Sequence, residues 1–327
     1  MFINLKETQK ATLTIKNKKM ETIIPPVKKA LLEKELTAKI FIRDTNFGNN
    51  KIYIFTAHDS PNLMQEVGRL REISFRDAKG GTGKAIDIDS YDTSEVPFKQ
   101  LIVWNPEDKE IIGGYRFIHC KDLPIGDDGI VKTPTARLFQ YSKKFITEFL
   151  PVTIELGRSF VQPIYQPANN IRKGMYSLDN IWDGLGSIMV DNPDVKYLFG
   201  KVTMYPHFNV YARDLILFFM DKYFPDKEEL VRPHKPIKYS TNIEELERVF
   251  TAGNYDDDYK TLVQRVRSVR ENIPPLFNAY MNLSSTMRNF GTALNDHFGL
   301  VEETGIMVTV DDITDVKKDR HVLTYRT

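Results

Sequence analysis

Charge in the middle of apolar runs marks where this chain could do chemistry. Glu155 and Arg158 sit inside Val152-Thr153-Ile154-Glu155-Leu156-Gly157-Arg158-Ser159-Phe160-Val161, and Arg71, Arg116 and Arg172 also stand among apolar neighbours. A carboxylate beside a cleft can take a proton from a nucleophile. A guanidinium can grip a carboxylate through two parallel hydrogen bonds, which an ammonium cannot reproduce. A guanidinium withdrawn from water also needs a carboxylate partner, and Glu155, Asp89 and Asp92 are the nearest supply. From the residues alone, structural ion pairing and a functional site are both open.

The elements that must position these groups can be read coarsely. Strand alternation puts Ile154, Leu156 and Arg158 on one face and Glu155 and Gly157 on the other, so a regular strand separates Glu155 from Arg158. A one-residue bulge at Leu156-Gly157, where glycine tolerates positive φ, would turn both toward one cleft. Upstream, Lys51 to Thr56 reads as a strand, and Ser60-Pro61 opens a helix carrying Leu63, Val67, Leu70 and Ile73. Gln100 to Trp104 and Glu110 to His119 form a hairpin around the turn chemistry of Asn105-Pro106-Glu107-Asp108. Downstream come a helix from Met175 to Val190, a strand from Tyr197 to Met204, an apolar helix from Asn209 to Tyr223 and a last strand from Gly305 to Val310. Residues 1–50 read as a polar leader with a short helix, 51–224 as the core, 225–275 as a charged helical insertion and 276–327 as the completion of the core.

Other motifs weaken on inspection. Gly80-Gly81-Thr82-Gly83-Lys84 would need glycine at Ala78 and Ser or Thr at Ala85 to be a phosphate loop. The acids Asp87, Asp89 and Asp92 fail as a calcium loop because Asp92 stands where glycine is required and Phe98 at the twelfth position, so no metal is expected. Cys120 and His119 are strand neighbours on opposite faces, which favours a buried thiol over a nucleophile and base. With 41% hydrophobic and 27% charged residues and a net charge of +1, the composition is that of a soluble domain and speaks against general nucleic-acid binding. One cysteine suits a reducing compartment, so cytoplasm is the expected location, with peripheral contact at the inner membrane face left open.

Taken in order, Arg71-x-x-x-Phe75, Asp89-x-x-Asp92, Gly114-Tyr115-Arg116 and Glu155-Leu156-Gly157-Arg158 resemble the bacterial N-acyl amino acid synthases. These are the glycine-lipid and ornithine-lipid first-step N-acyltransferases, related to acyl-homoserine-lactone synthases. The resemblance spans Lys51 to Tyr205, with a weaker echo in Pro274 to Val310. It implies an α/β, GNAT-like acyltransferase fold with a central mixed sheet and a helical insertion. It also implies transfer of a long-chain, plain or 3-hydroxy, fatty acyl group from acyl carrier protein to the α-amine of an amino acid, with no cofactor beyond the acyl-phosphopantetheine thioester on carrier protein or coenzyme A. Glycine is the expected acceptor, from the closeness of the overall pattern to the glycine-lipid branch; ornithine or lysine would call for an extra carboxylate facing the cleft.

Carried over, the resemblance implies that Arg71, Phe75, Asp89, Asp92 and Arg116 line or brace the substrate site with Glu155 and Arg158. Glu155 is the candidate base, or else only orients Arg158 or Arg116. Arg158 or Arg71 would hold the substrate carboxylate, and Tyr205 or Tyr211 could return a proton to the leaving thiolate. The usual pyrophosphate loop is reduced to Asn170-Ile171-Arg172-Lys173-Gly174-Met175 with one glycine. Arg172, Lys173 and Gly174 would therefore meet a singly phosphorylated phosphopantetheine and an acidic carrier protein, with Arg265, Arg267 and Arg270 better read as a solvated helix face. The competing readings are an acyl-homoserine-lactone synthase and a non-catalytic domain that binds acyl carrier protein.

Overall fold

The computed structural model describes residues 20–124, 126 and 131–325, so the first 19 residues of the expected leader lie outside the described residues. The rest of that leader has two uses. Helix α1 (Lys29–Glu35) delivers Glu35, whose carboxylate accepts from the backbone N–H groups of Asn62 (3.0 Å) and Leu63 (2.8 Å). It thereby caps the orphan donors at the start of α2 (Pro61–Asp77). Strand β1 (Phe41–Asp44) then pairs with β2 (Lys51–Phe55), so the sheet begins ten residues before the expected core boundary.

Strands β3 (Lys99–Asn105) and β4 (Glu110–His119) form the expected hairpin. The acidic segment holds one helical turn, α3 (Ser90–Thr93), closed by a reciprocal capping box between Asp89 and Asp92. After β5 (Phe139–Tyr141) comes the central strand β6 (Thr153–Val161), followed by the single turn α4 (Ile171–Gly174) and helix α5 (Ser177–Asp191). Strand β7 (Tyr197–Met204), helix α6 (Val210–Tyr223), β8 (Val231–Pro233), helices α7 (Ile243–Val249), α8 (Tyr255–Ser268) and α9 (Pro275–Met281), strands β9 (Arg288–Asn295) and β10 (Val301–Thr309) and helix α10 (Asp315–His321) complete the chain.

Eight strands make one mixed sheet in the order β1-β2-β3-β4-β6-β7-β10-β9, in which β6 and β7 are the parallel pair. One face carries Ile154, Leu156, Leu198 and Val202 and packs on α5 and α6; the other carries Phe55, Ile102 and Phe160 against Leu63 and Val67 of α2. The 225–275 segment holds the short strand β8 and helices α7 and α8, packed onto the rest of the fold. Leu246, Phe250, Leu262 and Val266 join the α6 core, and β8 pairs with β5.

The sheet opens at its centre. Strands β6 and β7 pair from Thr153–Tyr197 only as far as Leu156–Gly200, after which the facing edges of Gly157–Val161 and Lys201–Met204 run without that ladder. Gly200 stands at the vertex, where a Cβ would lie 2.6 Å from the Leu156 carbonyl oxygen. A backbone atom there cannot move aside cheaply, so Gly200→Ala is expected to push the two strands apart and destabilise the protein by about 1–3 kcal/mol. A urea-denaturation midpoint matching wild type would show that the vertex tolerates a side chain.

Candidate active site

The gap between β6 and β7 is occupied by a cavity of about 520 Å³ whose wall draws on both faces of the sheet, a size suited to a small-molecule ligand. Arg116, Glu155, Arg158, Lys201, Tyr205 and Glu303 supply a polar end on the α2 side. Leu156, Leu198, Ile306 and Val308, with Leu276 and Tyr280 from α9, supply an apolar end on the α6 side. One cavity thus offers charge at one end and hydrocarbon at the other.

The local chain path explains why Arg158 joins Glu155. Across β4, Gly114 faces Phe160 and Arg116 faces Gly157, so Arg158 and Ser159 together stand opposite Tyr115. The bulge is therefore at Arg158-Ser159, two residues later than the expected Leu156-Gly157, and the left-handed conformation is carried by Arg158 (φ 51°), not by Gly157. That is an unfavourable backbone for a long side chain, held in place by what the side chain reaches. Arg158 Nε lies 2.9 Å from Asp87 Oδ2, its Nη2 donates to Asp87 Oδ1 at 3.1 Å, and the guanidinium carbon sits 4.2 Å over the Phe298 ring. Phe75 packs edge-on against Phe298 at 5.0 Å and also lines the cavity.

Behind that wall lies a charge-balanced cluster in which Arg71, Arg116 and Arg158 face Asp87, Asp89 and Asp92. Arg116 Nη1 donates to Asp89 (2.9 Å) and Asp92 (3.1 Å), and Arg71 Nη1 pairs with Asp92 at 3.3 Å. Gln100 accepts from Arg71 and donates to Asp92 at 3.1 Å. Burial works to raise the Asp92 carboxyl, but the Arg71 and Arg116 guanidiniums overcome it and hold it well below the usual carboxylate range. Of the residues expected to line or brace the site, Phe75 and Arg116 line it. Arg71 and Asp92, both with no exposed side-chain surface, only brace it, so neither can touch a substrate and the carboxylate-gripping role expected for Arg71 does not hold. Asp89 bridges Arg116 and Arg158 from the rim.

Glu155 is 1% exposed. Its Oε1 accepts from the Thr135 hydroxyl (2.7 Å) and backbone N–H (3.2 Å), while its Oε2 has no hydrogen-bond partner among the described residues. It bonds neither Arg158 nor Arg116. Tyr205 lines the cavity, its hydroxyl pushed up to about 12 by burial and by Glu303, and so remains a proton donor at neutral pH; Tyr211 packs into the α6 core instead. Lys173 is tied to Asp108 at 2.7 Å, Arg172 is exposed and Gly174 is packed against the Gln166-Pro167 backbone. None of the three lines the cavity, which that segment reaches through Pro167, Ala168 and Leu178. Arg265, Arg267 and Arg270 are solvent-exposed.

Sequence reasoning missed Gln100, Thr135, Lys201 and Glu303. Lys201 carried the clearest signal, as a lone cation in an apolar strand. Two rejected motifs resolve physically. The backbone N–H groups of Thr82 (3.1 Å) and Gly83 (2.8 Å) wrap the buried Glu72 carboxylate, so the glycine loop, with positive φ at Gly81 and Gly83, already holds a protein anion. The three acids bind arginines, and no metal-holding cluster occurs among the described residues. Cys120 is buried, with its thiol pushed up by that burial.

Residues 70–173 match the family model of the acetyltransferase (GNAT) domain. A glycine N(alpha)-acyltransferase of Bacteroides thetaiotaomicron is 53% identical over 306 residues, covering 94% of this chain and 91% of that protein. One from Phocaeicola vulgatus is 51% identical over 303 residues, covering 93% of each. Among solved structures, the acyl-homoserine-lactone synthase LasI aligns at 11% identity with a TM-score of 0.43, over 86% of this chain and 100% of that one. FeeM, an N-acyl amino acid synthase from uncultured soil microbes, aligns at 10% identity with a TM-score of 0.36, over 84% and 96%.

The charge cluster generates a stability prediction. A carboxyl depressed in the folded state contributes stability that is fully present above its unfolded value, about 3.9, and is lost as pH falls through the folded one. The Asp92 contribution should therefore be constant from about pH 5 to 8 and fade only below about pH 4. Asp92→Asn, which leaves two buried guanidiniums short of their partner, should destabilise by about 3–5 kcal/mol at neutral pH. A loss under about 1 kcal/mol in chemical denaturation would remove the cluster from its bracing role.

Proposed function

The chain belongs to the family of bacterial glycine N(alpha)-acyltransferases, acyltransferases of GNAT fold, and from that membership we propose that it moves a long-chain fatty acyl group, plain or 3-hydroxylated, from acyl carrier protein to the amine of glycine. The product is an N-acylglycine, a lipid precursor. The observation that carries this reading is the two-ended cavity, with the unpaired Glu155 Oε2 at its polar end and an apolar wall running through the sheet.

An amino-acid amine is mostly protonated at neutral pH, so it must lose a proton before attacking a thioester. Solvent takes the first proton before attack, and Glu155 Oε2 takes the second as the C–N bond forms. The splayed edges of β6 and β7 supply backbone N–H groups toward the oxyanion. As the C–S bond breaks, the Tyr205 hydroxyl protonates the thiolate and recovers its proton through Glu155 or solvent. Arg158, fixed along one edge of its guanidinium by Asp87 and with its Nη1 bonded to no acceptor among the described residues, grips the glycine carboxylate. Arg116, buried against Asp89 and Asp92, forms the wall beside it.

Glycine is favoured over ornithine by the names of the two relatives and by charge. A second carboxylate, Glu303, does face the cavity, but Lys201 lies 3.7 Å from it and offsets the charge that a side-chain ammonium would need. A carrier-protein donor is favoured over coenzyme A because the one-turn α4 keeps a single glycine and Lys173 is engaged by Asp108. No helix among the described residues is long and apolar enough to cross a membrane. Ile171, Met175 and Leu178 are exposed apolar side chains close together in sequence, and Leu178 lines the cavity, which supports peripheral contact with a membrane face.

Incubating purified protein with acyl carrier protein or coenzyme A thioesters and a panel of amino acids, with products read by mass spectrometry, tests the reading. N-acylglycine should dominate with the carrier-protein donor, and absence of any acyl-amine product would sink it. Glu155→Gln should lower kcat by about 10²- to 10⁴-fold with little change in KM for glycine. Arg158→Lys should chiefly raise the KM for glycine, because the two-point fork is lost; a KM equal to wild type would remove Arg158 from carboxylate recognition.

A further inference from the structure

Three side chains at the polar end form a hydrogen-bonded chain of which the reaction as described uses only Glu155. Lys201 Nζ, on β7, donates to Thr135 Oγ1 at 3.1 Å, and Thr135 Oγ1 donates to Glu155 Oε1 at 2.7 Å. The direction is fixed, because an ammonium has only donors and a hydroxyl has one proton. Glu303, on β10, lies 3.7 Å from Lys201 and holds it from the far side. Thr135 has no exposed surface and Lys201 keeps 12% of its side chain exposed, so the chain runs along a nearly dry wall where charge acts at longer range than in water.

We propose that Lys201 is a positioning residue for Glu155, acting through Thr135 to place positive charge beside the carboxylate and to hold Oε2 toward the acceptor amine. The inference rests on the reading of Glu155 as the base. With both donors of Thr135 bonded to Oε1, the carboxylate is tied down at one oxygen and has the other open among the described residues, which is the arrangement a preorganised base requires. The other groups around Glu155 do not substitute for Lys201. Tyr91 from α3, Tyr141 from β5 and Cys120 are pushed up by burial and stay neutral. Arg116 and Arg158 are taken by aspartates, and Glu303 is a like charge that Lys201 separates from the base.

The test is the pH dependence of kcat/KM for glycine in Thr135→Val and Lys201→Met, beside Glu155→Gln. The titration of free glycine is common to all the proteins, so a difference between profiles belongs to the enzyme. Lys201→Met removes an opposite charge and Thr135→Val removes a hydrogen bond, each of which favours the charged form of a carboxylate, so the acidic limb should move up by about one pH unit in both variants. Activity should then fall about tenfold on the acidic side and recover as pH rises, and Thr135→Ser should restore the wild-type limb that Thr135→Val displaces. A merely structural loss would lower the whole profile without moving the limb. An unmoved limb in both variants, with Glu155→Gln still impaired, overturns the role of Lys201 alone; full activity of Glu155→Gln overturns the base reading and this inference with it.

Discussion

The polar half of the cavity depends on one carboxylate that water never reaches. Asp92 accepts from Arg71 of α2, Arg116 of β4 and Gln100 of β3 while its own turn is closed by Asp89. One side chain thus fixes the spacing between a helix, two strands and a loop. An isolated buried carboxylate is strongly disfavoured, and so is an isolated buried guanidinium; three of each in contact remove that penalty only when all six are in register. The ions therefore act less as a source of stability than as a lock on one arrangement. Arg158 follows from the same constraint, since its left-handed backbone is tolerable because Asp87 and the Phe298 ring hold the far end of the side chain.

Much of this was legible in the chain itself because the signals were local. The hairpin of β3 and β4, strand β7 and helix α6 follow from apolar periodicity and turn residues, and their observed bounds fall within a residue or two of the expectation. Charge in apolar surroundings pointed to Arg71, Arg116, Glu155, Arg158 and Arg172; the structure brings the first four to one side of the sheet and leaves Arg172 exposed outside the cavity wall. What resisted reading was non-local. Strand β1 and the three-residue strands β5 and β8 carry too few residues for a period to declare itself. The cap that Glu35 places on α2 joins residues 27 positions apart, which no spacing rule reports.

The site was legible in its residue types and less so in their partners. A bulge was foreseeable from a glycine beside a misplaced arginine, yet it falls on the arginine because the aspartates beneath can stabilise that conformation, and the glycine is left extended. Thr135 gives no hint in sequence that it saturates one oxygen of Glu155. Lys201 and Glu303 occupy inward positions on neighbouring strands, a relation that exists only once β7 and β10 are paired. Arg172 and Lys173 looked like anion binders by position, but Asp108, delivered by the β3–β4 turn, takes the lysine.

The passage between β6 and β7 has its charged end built by residues up to Glu303 on the sheet and its apolar end closed by Leu276 and Tyr280 on α9. The two ends are made by different elements and share little beyond the strands that separate them. Substitution in α9 can lengthen, shorten or narrow the hydrocarbon end while the ionic lock around Asp92 stays untouched. The fold is in this sense modular inside a single cavity: the size of the apolar end and the charges of the polar end can vary independently, on opposite sides of one sheet.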